Sequence, residues 1–326
     1  MLRYFFPAAA ALLSFGCGYI GEPLPPALDI PQRVTDLSAG QQGERIVVQF
    51  TLPAHTTDNL EIRKPFTVEL RVGPAGTPFH SEAWEAAAKL FSDVPSDQPA
   101  VKYSVPAAEW IGKDVVIGLK VSRANGRTAG WSNLVTLSVV EPLASPSNLQ
   151  ARAVLEGIRL TWQGAASHYR IYKRVGQDAA APIAIHESDG TEYTDPGTAY
   201  GITYRYSVEA FRTGSNINAR SERSPEVEIT PEDKFPPPVP TGLAAVVSTG
   251  SIELVWDRSI APDLAGYRIY RAQGTGPFEK LAETREAPNY SDRQIESGKI
   301  YRYAVTAFDQ VGNESAHSPP VSASAH

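Results

Sequence analysis

The sequence predicts an all-β protein of three tandem β-sandwiches in an extended rod, with one short helix inserted in the first sandwich. Three observations lead to this prediction: a strand pattern that occurs three times, apolar residues at every second position, and proline-rich stretches between the repeats. Of the 326 residues, 42% are hydrophobic and 20% are charged. This composition is typical of globular proteins and excludes disordered tails, collagens and polytopic membrane proteins.

Residues 1–16 have the features of a signal peptide. Arg3 is their one positive charge, and the uncharged run that follows is too short to cross a bilayer as a stable helix. The segment Leu13–Cys17 resembles the lipobox of bacterial lipoproteins, because a small residue directly precedes the cysteine. The resemblance implies cleavage before Cys17 and lipid attachment to its thiol. The alternative is an ordinary secreted protein with a cysteine near its cleavage site.

Residues 17–30 are predicted to be a tether, because glycine and proline recur there and disfavour helix. Cys17 is the sole cysteine, which excludes a disulfide framework and a thiolate zinc site. Each buried acyl methylene contributes about 0.8 kcal/mol, so several acyl chains on Cys17 would hold the protein at a membrane. Gly18 resembles the outer-membrane sorting pattern of enteric bacteria and implies that membrane as the location.

The repeated strand pattern has a leucine and, nine positions later, an isoleucine that opens an alternating apolar series. A period of two is that of a strand with one buried face. Each series ends in an aromatic residue, which we expect to be buried between the two sheets, where a small residue would leave a cavity. The three copies begin at Leu37, Leu149 and Leu243, and their series end at Phe50, Trp162 and Trp256.

The second and third copies also share three tyrosine-containing segments. Tyr204 and Tyr301 each open an eight-residue strand, with a glycine three positions earlier. Together with the aromatic residues above, these segments resemble the fibronectin type III domain, an immunoglobulin-like sandwich of seven strands that needs no disulfide. The resemblance covers residues 145–232 and 236–326, and implies that both tyrosines form a corner in which the phenol satisfies a backbone group. The matching segments are Tyr169–Tyr172 with Tyr267–Tyr270, Tyr193–Asp195 with Tyr290–Asp292, and Tyr204–Phe211 with Tyr301–Phe308.

Residues 31–142 are predicted to be a divergent copy of this domain. Val115 stands where the corner tyrosine would be, although Gly112 still precedes it by three positions. An alanine-rich insertion at Ser81–Phe91 predicts a helix capped by Ser81. We expect this helix to close one edge or end of the sandwich; the alternative is a binding element. Its predicted apolar face consists of Trp84, Ala87, Ala88 and Phe91.

Proline-rich stretches at residues 141–146 and 236–240 separate the copies. Proline fixes φ and lacks an amide donor, so these linkers are predicted to be short, stiff spacers.

The formal net charge is −6 and is spread evenly, so no segment has the basic stripe that a nucleic-acid backbone requires. Nucleic acid is therefore not expected as a partner.

The sequence contains no familiar catalytic or cofactor motif. It has no Gly-x-Ser-x-Gly elbow and no phosphate-binding glycine loop before a helix, and His186-Glu187 does not continue into a His-Glu-x-x-His zinc motif. The six histidines are scattered singly, and no calcium-loop spacing occurs. We therefore expect no enzymatic activity, no cofactor and no metal site.

Strand parity places a tyrosine and a phenylalanine, each beside arginine, on the outer face of the second and third domains. Aromatic rings beside arginine could stack on a sugar or on the surface of a protein partner. The alternative is a cross-strand packing pair shielded by the arginine stems. The four candidate surface-binding residues are Tyr172, Phe211, Tyr270 and Phe308.

These features together predict a lipoprotein of the bacterial cell envelope, anchored through Cys17, that acts as a spacer or protein–protein interaction module. Its expected partners are the membrane and another envelope protein. The alternative function is a carbohydrate-binding accessory module of the cell surface, because fibronectin type III repeats accompany bacterial polysaccharide-degrading enzymes. The alternative location is secreted or periplasmic.

Overall fold

The computed structural model describes residues 28–62, 66–124, 126–176, 180–285 and 287–325. The chain divides into two compact units. One extends to Pro142 and includes Thr213–Arg220, and the other consists of Leu143–Arg212 and the residues from Ser221 onward. The predicted signal peptide and Cys17 lie outside the described residues. Within the described ranges, no helix is long and apolar enough to cross a membrane.

The first unit contains a sandwich of two antiparallel sheets. Its elements are β1 (Ser38–Gln42), β2 (Arg45–Thr51), β3 (Thr67–Pro74), α1 (Ser81–Ala87), β4 (Lys89–Phe91), β5 (Ala100–Pro106), a 3-10 helix (Ala108–Trp110), β6 (Asp114–Ser122), β7 (Thr128–Trp131) and β8 (Val135–Ser138). One sheet has the order β1-β2-β5, and the other has the order β4-β3-β6-β7 with β8 also paired to β6. Residues 218–220 pair with β1 in parallel. In β6, alternate residues from Val115 to Val121 are buried in the core between the sheets, which is the period of a strand with one face toward the core.

The inserted helix differs from its prediction in three respects. The N-cap of α1 is His80, with no side-chain capping bond, so the predicted cap of Ser81 is wrong. The helix ends before Lys89 because Lys89–Phe91 pair with β3 as a strand. Of the predicted apolar face, Trp84 and Ala88 are buried and Ala87 is exposed.

The helix α1 covers the outer face of a sheet, rather than the predicted edge or end of the sandwich. The Trp84 indole N–H donates to the carbonyl of Val116, 3.2 Å away, and Val116 points away from the core residues on either side of it. Gly73 and Gly118 on neighbouring strands leave room for the indole, because a Cβ at either position would lie 2.8 or 3.2 Å from it. Both glycines are therefore part of the helix-docking surface.

The second sandwich is formed by Leu143 and the residues that follow it. Its strands are β9 (Ser147–Val154), β10 (Gly157–Gln163), β11 (His168–Val175), β12 (Ile183–Ser188), β13 (Glu192–Asp195), β14 (Tyr204–Thr213) and β16 (Val227–Ile229); β15 is the strand Asn218–Arg220 of the first unit. One sheet has the order β13-β10-β9. In the facing sheet, β11 lies between β12 and β14, and β16 pairs with β14.

The third sandwich has seven strands, three facing four. They are β17 (Ala244–Ser248), β18 (Ser251–Val255), β19 (Leu264–Gln273), β20 (Glu279–Thr284), β21 (Asn289–Asp292), β22 (Ile300–Asp309) and β23 (Val321–Ser324). The sheets have the orders β17-β18-β21 and β20-β19-β22-β23. The strand order of the second sandwich is the same, which is the fibronectin type III-like arrangement that the resemblance implies.

The predicted burial of the strand-end aromatics is confirmed. Phe50, Trp162 and Trp256 are each at most 5% exposed and lie in the core of their own sandwich. The Trp162 and Tyr169 rings pack edge to face at a centroid distance of 5.5 Å, and the Trp256 and Tyr267 rings pack in the same way at 5.3 Å. The repeated sequence spacing therefore becomes the same edge-to-face aromatic pair in two cores.

The predicted tyrosine corner is present in two sandwiches. The phenol oxygen of Tyr204 accepts the backbone N–H of Ala199 at 2.8 Å, and that of Tyr301 accepts the N–H of Glu296 at 3.0 Å. In the first sandwich Val115 takes this place, so the bond is missing there. The turn itself is retained in all three, because the preceding glycine has a φ between 76° and 80° that other residues rarely adopt. These glycines are Gly112, Gly201 and Gly298.

Candidate binding surfaces

In the second sandwich, the two predicted surface aromatics lie outside the core cluster but are covered. The exposed fractions of Tyr172 and Phe211 are 7% and 8%. The Arg223 guanidinium lies over the Tyr172 ring at 3.9 Å from its centroid, and Arg170 lies over Phe211 at 4.8 Å. The Tyr172 phenol donates to Glu209, 2.7 Å away. Burial, followed by that carboxylate, raises the pKa of Tyr172. The rings form a packed pair under arginine, and a binding role for them stays a prediction.

The third sandwich holds its outer tyrosine by a carboxylate from a different segment. Phe308 is buried under Arg268, whose guanidinium carbon is 4.4 Å from the ring centroid. The half-buried Tyr270 donates to Glu314 at 2.7 Å, and Thr306 donates to the same oxygen at 2.6 Å. Burial would raise the pKa of Glu314, but these donors and Arg268 outweigh it and lower that pKa. Glu314 is therefore an anionic acceptor fixed by three side chains.

Tyr270 is less covered than its counterpart Tyr172, and a histidine stands beside it where Tyr172 has an arginine. Arg223 and His317 each directly precede a serine whose hydroxyl accepts an N–H of the neighbouring strand. The exposed His317 ring lies 4.4 Å from Tyr270 and 5.6 Å from Phe278 between centroids. We call Tyr270, Phe278 and His317 the histidine patch. It is an accessible aromatic cluster that the sequence reasoning found only at Tyr270.

Sequence reasoning also missed a buried carboxylate in the second sandwich. Asp195 accepts from the Tyr206 phenol at 2.8 Å, from Lys173 at 2.7 Å and from the Gly197 N–H at 2.9 Å. Burial would raise the pKa of Asp195, but the three donors outweigh it and lower that pKa. The same burial, with the Asp195 charge, raises the pKa of Tyr206.

The third sandwich repeats this arrangement. Asp292 accepts from Tyr303 at 2.7 Å, from Arg271 at 2.9 Å and from the Gln294 N–H at 2.9 Å. The sequence signal was the aspartate that ends both Tyr-x-Asp segments of the repeat. Each aspartate binds groups of its own sandwich, so these buried charges support packing.

The second unit contains an apolar cleft of about 630 Å³. Four chain segments line it: the β9–β10 turn, the loop before the corner tyrosine, the proline-rich stretch after β16, and the loop between β18 and β19. Leu155, Tyr200 and Ile260 expose large apolar side chains beside prolines. A cleft of this size with mostly apolar walls is typical of ligand and peptide sites.

Three carboxylates meet beside this cleft. Oxygens of Asp233, Asp263 and Asp309 lie within 4.8 Å of one another, and Asp263 lines the cleft. Carboxylate oxygens are ligands that Ca²⁺ accepts, so these residues could hold a cation. One oxygen of Asp309 already accepts three backbone N–H groups of the following turn. Burial, together with the three carboxylates, raises the pKa of Tyr200. The sequence did not predict this cluster, because its members lie far apart along the chain.

Segments of this chain are similar in sequence to parts of large enzymes. It is 28% identical over 184 residues to Exoglucanase B of Cellulomonas fimi, which is 54% of this chain and 16% of that protein. Identity to an amylopullulanase of Thermoanaerobacterium saccharolyticum is 29% over 154 residues, or 43% of this chain and 12% of that protein. For an amylopullulanase of Thermoanaerobacter thermohydrosulfuricus, identity is 40% over 89 residues, or 27% and 6%. The chain thus spans at most about a sixth of the length of these relatives.

No protein-family model matches the chain. Among solved structures, the FN1–FN3 domains of chicken CNTN1 align with 91% of this chain and all of that one, at 13% identity and a TM-score of 0.30. An Fn3-like protein from Clostridium thermocellum aligns with 26% of this chain and 90% of that one, at 29% identity and a TM-score of 0.24. The three-on-four strand order described above is what establishes the fold.

Proposed function

We propose that this protein is a non-enzymatic lipoprotein of the bacterial cell envelope that acts as a spacer or protein–protein interaction module. The observation that carries the proposal is that each of the three sandwiches has its own core of buried residues. Stable sandwiches in series separate an anchor from a partner and present loops to it. The signal-peptide pattern and the lipobox-like cysteine support an anchor at the amino-terminal end.

The use of buried charge also supports a structural role. Asp195, Asp292 and Glu209 each accept from a tyrosine of the same sandwich, and a lysine or arginine is paired with each carboxylate. Removal of a partner from such a buried carboxylate would destabilise its sandwich, because the charge would stay buried without compensation. This chain matches only a small share of each relative. That share supports a role as an accessory module of the kind that acts beside a catalytic domain.

The anchor is tested by exchanging Cys17 for serine with the signal peptide intact. The wild-type protein is expected in the membrane fraction and in the detergent phase of a two-phase separation. The Cys17→Ser variant is expected in the soluble fraction, because it lacks the acylated thiol. Membrane association that does not change in the variant would contradict a lipid anchor at Cys17. Wild-type protein in the soluble fraction would favour a secreted or periplasmic protein.

A second candidate function is carbohydrate binding, favoured by the names of the relatives and by the partly exposed histidine patch. Aromatic side chains on an accessible face could stack on sugar rings. The full-length protein would be sedimented with insoluble cellulose and with starch. Phe278→Ala should reduce sedimentation, whereas Phe79→Ala, at an exposed phenylalanine of the first unit, should not. Equal retention of both variants, or no sedimentation of the wild type, would exclude this function for the patch.

A further inference from the structure

Two large apolar side chains that line the cleft of the second unit are exposed to solvent. Ile260, at the loop between β18 and β19, is 94% exposed, and Leu155, in the β9–β10 turn, is 68% exposed. The prolines at 236–238 also line the cleft and form a wall without backbone N–H donors. Exposed apolar residues that are grouped around a concavity mark interaction sites in soluble proteins.

The charge around this cleft has one sign. Glu156 and Asp263 line it, no lysine or arginine does, and Asp233 and Asp309 stand beside Asp263. Among the described residues, no ion pair with lysine or arginine forms at any of these four carboxylates. The region therefore has uncompensated negative charge next to apolar walls.

We propose that this cleft binds a lysine-bearing segment of another polypeptide. A lysine side chain has an aliphatic stem, which would lie along the proline wall, and an ammonium group, which would reach Asp263 and its neighbours. Leu155 and Ile260 would contact aliphatic residues on either side of that lysine. An acidic or neutral segment would leave the carboxylates without a counter-charge. The inference rests on the proposed function as an interaction module and names the site and the chemistry of the partner.

The test measures binding of a fluorescein-labelled heptapeptide with alternating leucine and lysine residues, separated by glycine, to the full-length protein. Its anisotropy should rise with protein concentration, and the affinity should fall at high salt. A peptide with glutamate in place of lysine should not bind. Asp263→Asn and Ile260→Ser should each weaken binding about tenfold. The matched controls, Glu279→Gln and Ile183→Ser, alter exposed residues away from the cleft and should leave the affinity unchanged.

Three results would overturn the proposal: no binding of the lysine peptide, equal binding of the glutamate peptide, or equal loss in the control variants. Saturable binding of Ca²⁺ that Asp263→Asn abolishes, without peptide binding, would also overturn it and assign the carboxylates to a cation. The proposed function as an interaction module is tested separately from the cleft, by crosslinking the wild type and Asp263→Asn in intact cells. A crosslinked partner that both capture would leave the interaction module standing while the cleft proposal fails.

Discussion

The phenol of Tyr303 donates a hydrogen bond of 2.7 Å to the carboxylate of Asp292, and both side chains are fully buried. Arg271 approaches the same carboxylate oxygen at 2.9 Å. The pair Tyr206 and Asp195 has the same geometry in the second sandwich. A buried carboxylate without its donors keeps the full cost of desolvation, so each donor contributes strongly to stability.

Removal of the Tyr303 hydroxyl should destabilise the third sandwich. Tyr303→Phe leaves Asp292 with one donor fewer and should lower the free energy of unfolding by about 1 to 3 kcal/mol. Tyr290→Phe is the control, because this half-buried tyrosine donates no hydrogen bond to a carboxylate of the described residues. Urea unfolding followed by fluorescence measures both. Equal losses in the two variants would contradict a special role for the pair.

The lowered pKa of Asp195 predicts a specific acid sensitivity. A carboxyl group whose pKa is lower in the folded state stabilises the fold above its unfolded pKa, which is ordinarily 3.8, and loses that contribution as the pH falls through the folded value. Wild-type stability should therefore decline below about pH 4. Asp195→Asn should be less stable at pH 7 and should show a flatter acid dependence, measured by thermal unfolding from pH 7 to pH 2. Parallel wild-type and variant curves would show that Asp195 is not the responsible group.

Trp256 should tolerate phenylalanine far better than alanine. Trp256→Ala leaves a cavity between the sheets and should cost about 3 to 5 kcal/mol. Trp256→Phe keeps most of the aromatic contact and removes an indole N–H that has no hydrogen-bond partner among the described residues, so the net loss should be about 1 kcal/mol. Chemical denaturation compares the two variants. A near-zero cost for alanine would show that the strand register is wrong.

Docking of α1 should depend on the small size of Gly118. An added Cβ would lie 2.5 Å from a methyl group of Leu134 and 3.2 Å from the Trp84 ring. Gly118→Ala should therefore displace the helix, cost about 1 to 3 kcal/mol and increase proteolytic cleavage near α1. Gly76→Ala is the control, since its nearest contact would be an ordinary 3.4 Å. Unchanged stability and unchanged proteolysis near α1 in Gly118→Ala would contradict the packing of Trp84 on this strand.

Some positions could not be assigned correctly from the sequence because long-range pairing overrides local preference. An alanine-rich run favours helix as far as Phe91, yet Lys89–Phe91 form a strand, since β3 offers them a ladder of backbone partners. Outward parity of Tyr172 was predicted, with cover by arginine as the alternative to a binding role. That Arg223 supplies this cover was not predicted, because Arg223 lies far from Tyr172 in the sequence. Local periodicity contains no information on contacts between side chains that are distant in sequence.

By itself, the sequence determined the strand register and the aromatic core of the repeats. Alternation with a period of two is set by the geometry of the strand, so Trp162, Trp256 and Phe50 could only face inward once their neighbours did. Only the tertiary structure decided which polar groups meet. The carboxylates of Asp233, Asp263 and Asp309 come together because loops and a linker distant in sequence converge beside a cleft. Hydrogen bonds and charge pairs depend on distances between side chains of remote segments, and folding alone fixes those distances.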